Sequence, residues 1–169
     1  MALRTIITYP HPVLRQKAEP ITVFDDDLKT LVQDMAETMY QAPGVGLAAN
    51  QIGIARQLVV VDRSTDDTEK KFITLINPVI SEGEGSVTDE EGCLSVIECY
   101  AKVKRFQKIR VTARDIDGNS LDFIAVDRFA RIIQHEVDHL LGTLFIDRLS
   151  SLKRALYKKK LKKMLQDQE

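Results

Sequence analysis

Asp117-Gly118 stands between two runs that alternate apolar and polar side chains, Lys108 to Ile116 and Leu121 to Val126, and a helical repeat follows almost at once. Alternation on both sides of an Asp-Gly pair predicts an antiparallel hairpin. The repeat places Phe129, Ile132, Ile133, Val137, Leu140 and Leu141 on a helix that Asp127 is placed to cap and Gly142 to end. Strands first and a helix after them point to an α+β class.

The upstream chain agrees. Asp25-Asp26-Asp27 offers a helix start, and Leu28, Leu31, Val32, Met35 and Met39 follow at helical spacing. Leu58 to Val61 and Phe72 to Ile76 read as strands, joined through a polar turn at residues 64–69. Gly83, Gly85 and Gly92 punctuate what reads as an acidic loop, and Cys93 to Arg105 turns apolar again before ending in basic residues. Tyr9-Pro10-His11-Pro12 forbids regular helix and predicts an extended, loop-like N-terminal segment. The expected class is α+β, mixed but mainly antiparallel, in one domain over residues 1–169. No repeat or long linker divides it.

Net charge is silent about partners. The 24 basic and 25 acidic residues nearly cancel, so no global field points to a sequence-specific nucleic acid or to a membrane surface. The first residues lack a basic segment followed by an apolar core, and no apolar run approaches the ~18 residues of a membrane span. A cytoplasmic protein with free or ligated thiols is expected. The balance hides an asymmetry, because Leu149 to Glu169 holds seven basic and two acidic residues while the remainder holds 17 and 23. Leu152, Leu156, Leu161 and Leu165 recur through that segment, so residues 150–169 are expected to form a basic amphipathic C-terminal helix.

The chemistry concentrates in Gln134-His135-Glu136-Val137-Asp138-His139. Histidines at i and i+4 share one helical face and can reach one metal ion, and the glutamate beside the first is aimed at a water on that ion. A catalytic site of this kind wants a third protein ligand and an open position. The metzincin continuation is excluded, since Phe145 stands where its last histidine belongs. The downstream acids Asp147, Asp167 and Glu169 sit on no obviously buried helical face. His11, Cys93 and Cys99 remain. Cys93 has the most telling surroundings, Glu90-Glu91-Gly92-Cys93-Leu94-Ser95, where glycine lets the backbone approach closely and a thiolate suits a borderline or soft divalent metal. A third stretch, Gly44-Val45-Gly46-Leu47-Ala48-Ala49-Asn50-Gln51, has small residues that admit an extended ligand and a glutamine able to donate to a carbonyl oxygen.

Taken together, residues 44–51, 91–95 and 134–140 resemble the three ordered motifs of the peptide deformylase family, and the likeness extends to the Tyr-Pro-His-Pro-Val-Leu segment and the chain length. The resemblance implies removal of the N-terminal formyl group from nascent polypeptides that begin with formyl-methionine. It implies one divalent metal held by Cys93, His135 and His139, with ferrous iron as the natural ion and zinc, nickel or cobalt as substitutes. Glu136 would be general base and then acid for metal-bound water attacking the formyl carbon. Gln51, through its side-chain amide, and Leu94, through its backbone N–H, would stabilise the oxyanion. Val45, Gly46 and Ile132 are expected to bind the peptide, Ile132 because it lies one turn before His135. The basic C-terminal helix is expected to meet the ribosome, which is polyanionic and delivers the substrate. The alternatives are a zinc metallopeptidase or other amidase, and an inactive metal-dependent binding module. One departure stands out: the Cys-Leu-Ser run lacks the proline many relatives carry two residues later, and Tyr100 stands where many bacterial relatives place an arginine. That bears on preference beyond the methionine.

Overall fold

A computed structural model describes residues 2–64 and 70–167, so the polar turn expected at 64–69 lies, Ser64 apart, outside the described residues. The chain forms α1 (Asp26–Gln41), β1 (Gly46–Ala48), β2 (Leu58–Asp62), β3 (Phe72–Glu84), β4 (Val87–Cys93), β5 (Val96–Arg105), β6 (Lys108–Arg114), β7 (Ser120–Val126), α2 (Asp127–Leu140) and α3 (Ser151–Asp167). Short 3-10 helices occupy Pro12–Arg15, Ala49–Ile52 and Phe145–Arg148. Five strands make an antiparallel sheet in the order β1-β2-β3-β6-β7, and β4 and β5 pair as a separate antiparallel ribbon. One isolated bridge, Glu19 to Arg56, is parallel. The α+β expectation is met.

β2 explains the layering. Its Leu58 and Val60 enter a cluster with Leu28, Leu31, Val32, Met35 and Met39 of α1, while Val59 and Val61 enter one with Ile132, Ile133 and Val137 of α2. A strand buried on both faces reads as a continuous apolar run, as Leu-Val-Val-Val does. The expected hairpin forms, with Arg114 opposite Ser120, and its turn is organised by Asp115, whose carboxylate accepts the N–H groups of Asp117 and Asn119 at 2.9 Å each. The N-terminal segment laces the site elements together. Ile7 N donates to Gln51 O at 2.7 Å, Tyr9 N to Ser95 O at 2.7 Å and Ala18 N to Leu140 O at 2.8 Å.

Three expectations need correction. The acidic loop is mostly strand, since β3 runs to Glu84 and β4 starts at Val87. The distal half of β3 and most of β4 lie open to solvent, so glycines and acids are tolerated there and the apolar alternation that marks a strand is lost. Asp127 does not cap α2. Val126 takes the cap position, and the Asp127 carboxylate instead accepts from Gln107 Nε2 at 3.2 Å, because β7 runs into the helix without a break. The C-terminal helix forms but is not amphipathic along its leucines. A step from Leu156 to Leu161 turns the helix by about 140°, which sends the pairs Leu152/Leu156 and Leu161/Leu165 to opposite sides. Only Tyr157 and Leu161 are buried on it, and Leu152, Leu156 and Leu165 are exposed.

Candidate metal centre and cleft

α2 carries the two histidines one turn apart, with His135 Nε2 3.3 Å from His139 Nε2. Its end is fixed by Gly142, whose φ of 76° is left-handed and whose Cβ, were there one, would lie 2.5 Å from the carbonyl oxygen of Arg15. Cys93 closes β4, and a two-residue turn at Leu94-Ser95 leads into β5. This turn brings Cys93 Sγ to 3.4 Å from His139 Nε2. The ligand atoms of Cys93, His135 and His139 all lie within 4.8 Å of one another, a grouping that could hold a metal ion. A thiolate with two imidazoles suits a divalent ion of borderline softness. Two buried polar atoms of the same helix, Glu136 Oε2 and His139 Nδ1, have no hydrogen-bond partner among the described residues. The donor set fits a resident metal.

The other two candidates for a third ligand fall elsewhere. His11 caps the first 3-10 helix by accepting from Val13 N at 3.1 Å. Cys99 belongs to a cluster with Tyr157 and Leu161, where burial pushes its thiol up. Neither thiol is in a disulfide.

His135 is oriented from behind. Glu91 Oε1 accepts from its Nδ1 at 3.0 Å, so Nε2 faces Cys93 and His139. Burial alone would raise Glu91, but hydrogen bonds from Arg105 and His135 outweigh it and hold the carboxyl down to about 2. Without an ion, burial opposes a charge on His135, yet Cys93 and Glu91 hold a proton there and raise it to about 10. Burial, with the His135 charge beside it, keeps His139 neutral, well below the usual histidine range. Burial pushes the Glu136 carboxyl up to about 7. A carboxyl poised there can exchange a proton at neutral pH.

Gln51 sits in the second 3-10 helix, 1% exposed. Its Oε1 accepts from Ala48 N at 2.9 Å, and its Nε2 donates to Ser95 Oγ at 3.0 Å and stands 3.6 Å from Cys93 Sγ. Gly46 is packed on Glu136, since an added Cβ would lie 2.8 Å from Glu136 Cγ. A cleft of about 430 Å³ is lined by Val45, Gly46, Leu94, Ile132, Gln51 and Glu136, together with Cys93 and His135. Of the residues that the family resemblance implies for the site, all border this cleft except His139, which is 1% exposed. Tyr100 also lines it, with its ring against Gly92.

Glu91, Arg105, Ser95 and Asp138 are functional neighbours that the sequence reading missed. Glu91 lay inside the quoted Glu-Glu-Gly-Cys run, but nothing local separates it from its exposed neighbour Glu90. Arg105 ends a basic stretch and reads as surface, although its side chain is 2% exposed.

A cysteine and two helix-borne histidines grouped beside a cleft, with a buried carboxyl on the same helix, fit a metal-dependent hydrolase. The model of the polypeptide deformylase family matches residues 3–155, and the chain belongs to that family. It is 56% identical to a peptide deformylase of Desulfotalea psychrophila over 96% of this chain and 97% of that one. A peptide deformylase of Syntrophobacter fumaroxidans is 48% identical over 99% and 98%. The crystal structure of a peptide deformylase from Legionella pneumophila superposes with a TM-score of 0.90 at 43% identity, covering 99% of this chain and 98% of that one. The family removes the formyl group from nascent peptides in a metal-dependent reaction, and this chain is an enzyme of that kind.

Proposed function

We propose that residues 1–169 act as one catalytic domain in which Cys93, His135 and His139 hold a single divalent ion, ferrous iron in the native protein, with zinc, nickel or cobalt as substitutes. The observation that carries this is the convergence of one thiol and two imidazoles, with the buried Oε2 of Glu136 on the same helix left without a hydrogen-bond partner. When bound, the ion supplies a water acidic enough to be activated near neutral pH. Glu136 would accept a proton from the attacking water and return it to the departing amine. Gln51 Nε2–H and Leu94 N–H stabilise the oxyanion on the formyl carbon, each contributing about 3 kcal/mol. In support, Gln51 is already locked through Ala48 and Ser95, and Leu94 sits in a turn.

The formyl-methionyl peptide lies extended against the backbone at Gly46 and the β4–β5 ribbon, since β1 is an edge strand of its sheet. Val45 and Ile132 receive the methionine side chain. α3 docks the enzyme on the ribosome through its net positive surface, and the cytoplasm is where such peptides emerge. No helix among the described residues is long and apolar enough to cross a membrane. The test is a comparison of formylated, acetylated and unblocked methionyl peptides, together with metal analysis of protein purified without oxygen. Release of formate from the first substrate alone, with about one iron per chain, is the expected result. Cleavage of an unblocked peptide, or a full complement of zinc, overturns the reading.

A further inference from the structure

A series of ionic side chains runs from the surface to His135. Arg148, at the end of the third 3-10 helix and 44% exposed at its side chain, holds both oxygens of Asp138, with Nε to Oδ2 at 2.7 Å and Nη2 to Oδ1 at 2.8 Å. Asp138 Oδ2 also accepts from Arg105 Nη1 at 2.6 Å. Arg105 forks onto Glu91, with Nε to Oε2 at 2.9 Å and Nη2 to Oε1 at 2.8 Å. Glu91 Oε1 meets His135 Nδ1, and Arg131 Nη1 adds a hydrogen bond to Oε2 at 3.0 Å.

Every oxygen of Glu91 therefore has two donors, which leaves the carboxylate little freedom to rotate. Its plane follows the plane of the Arg105 fork. Of the three N–H groups that the fork leaves on the buried Arg105, one on Nη1 donates to Asp138. Asp138 in turn is gripped by the planar guanidinium of Arg148. The links cross from the third 3-10 helix to α2 and on to the β4–β5 ribbon, so helical periodicity by itself could not have aligned them.

We propose that Asp138 and Arg148 are positioning residues for His135: they set the plane of Arg105 and, through Glu91, the direction in which His135 Nε2 faces Cys93. The inference rests on the reading of Cys93, His135 and His139 as metal ligands. Neither Asp138 nor Arg148 lines the cleft or belongs to the group of ligand atoms. Partners that orient a ligating imidazole typically change metal affinity by about 10- to 100-fold. Losing Asp138 leaves the buried Arg105 charge with Glu91 and no second carboxylate, so its fork re-centres. Losing Arg148 frees Asp138 at the solvent end only and has a smaller effect.

The experiment is titration of the metal-free protein with cobalt(II), reading the visible ligand-field bands and the thiolate charge-transfer band. Asp138→Asn weakens cobalt affinity by about 10- to 100-fold and alters the bands. Arg148→Met weakens it at least threefold, Arg148→Lys recovers part of the loss, and the double variant is no weaker than Asp138→Asn alone. Arg110→Met, which breaks a surface pair with Asp122 at similar exposure, binds like the parent chain. Should Asp138→Asn fail to fold, Arg148→Met with an unchanged circular dichroism spectrum decides. Affinity within threefold of the parent for Arg148→Met overturns the inference, as do losses that multiply in the double variant. A parent chain that takes up no cobalt overturns the metal reading as well, which separates the two failures.

Discussion

α2 and α3 are helices of similar length, 14 and 17 residues, and both carry many polar side chains. α2 buries Gln134, His135, Glu136, Asp138 and His139, whereas α3 buries only Tyr157 and Leu161. A buried polar group is costly unless another element supplies its partner. α2 therefore depends on Glu91, Arg105 and Phe106 from the β4–β5 region, the last through its backbone to Gln134. α3 needs little from the rest of the molecule beyond the seat of Tyr157, whose hydroxyl donates to Ile97 O at 3.0 Å. Reactivity thus collects where polar groups are buried and mutually constrained. A solvated helix remains free to serve as a surface.

The sharpest way to break this contrast is Glu136→Ala. Turnover of a formyl-methionyl peptide is expected to fall about a thousandfold or more, with metal content unchanged by elemental analysis. Loss of the metal along with activity would make Glu136 a structural residue. Gly46→Ala probes the same carboxyl from the other side. Its methyl collides with Glu136 Cγ, and a displacement of that order typically reduces kcat by about a hundredfold, read by steady-state kinetics with stability controlled by thermal melting.

On α3, the corrected face gives a paired test. Leu161→Ala should destabilise the protein by about 3 kcal/mol in urea, and Leu152→Ala should stay within about 0.5 kcal/mol. Equal effects would restore the leucine stripe that the sequence suggests. Replacing Lys158, Lys159, Lys162 and Lys163 with Gln leaves Tyr157 and Leu161 seated. The salt dependence of ribosome binding should then flatten by roughly 0.7 to 0.9 logarithmic units for each phosphate no longer neutralised, while short-peptide turnover is spared. An unchanged slope sinks the docking role.

The smallest effect falls between the two helices. Burial opposes the charge on Asp147, but hydrogen bonds from Arg15 and the Leu144 N–H outweigh it and hold its carboxyl below the ordinary value of 3.8. A carboxyl depressed in the folded state stabilises above its unfolded pKa, and that contribution is lost as pH falls through the lower folded value. Acid denaturation below about pH 4 should therefore be shallower in Asp147→Asn than in the parent, starting from a lower stability at pH 7. Parallel curves would remove Asp147 from the account.

Some of the fold was readable because its signals are local. The hairpin around Asp117-Gly118, the capped start of α1 and the i, i+4 histidines each depend on residues within a few positions of one another. β4 was not readable, since a solvent-exposed strand of acids and glycine lacks the alternation that burial imposes. The leucines of α3 misled for a related reason. Spacing near four suggests one face, and a single five-residue step rotates half of the stripe away.

The sequence by itself determined the chemistry at hand: one glutamate between two histidines a turn apart, a cysteine after glycine, and a glutamine after a run of small residues. Those are matters of residue type and short spacing. Tertiary structure alone decided that Glu91 rather than Glu90 holds His135, that Arg105 is buried between two carboxylates, and that Tyr157 and Leu161 seat the last helix. Each depends on which distant element supplies a hydrogen-bond partner or excludes water. No local pattern carries that information, because burial belongs to the packed chain and not to the residue.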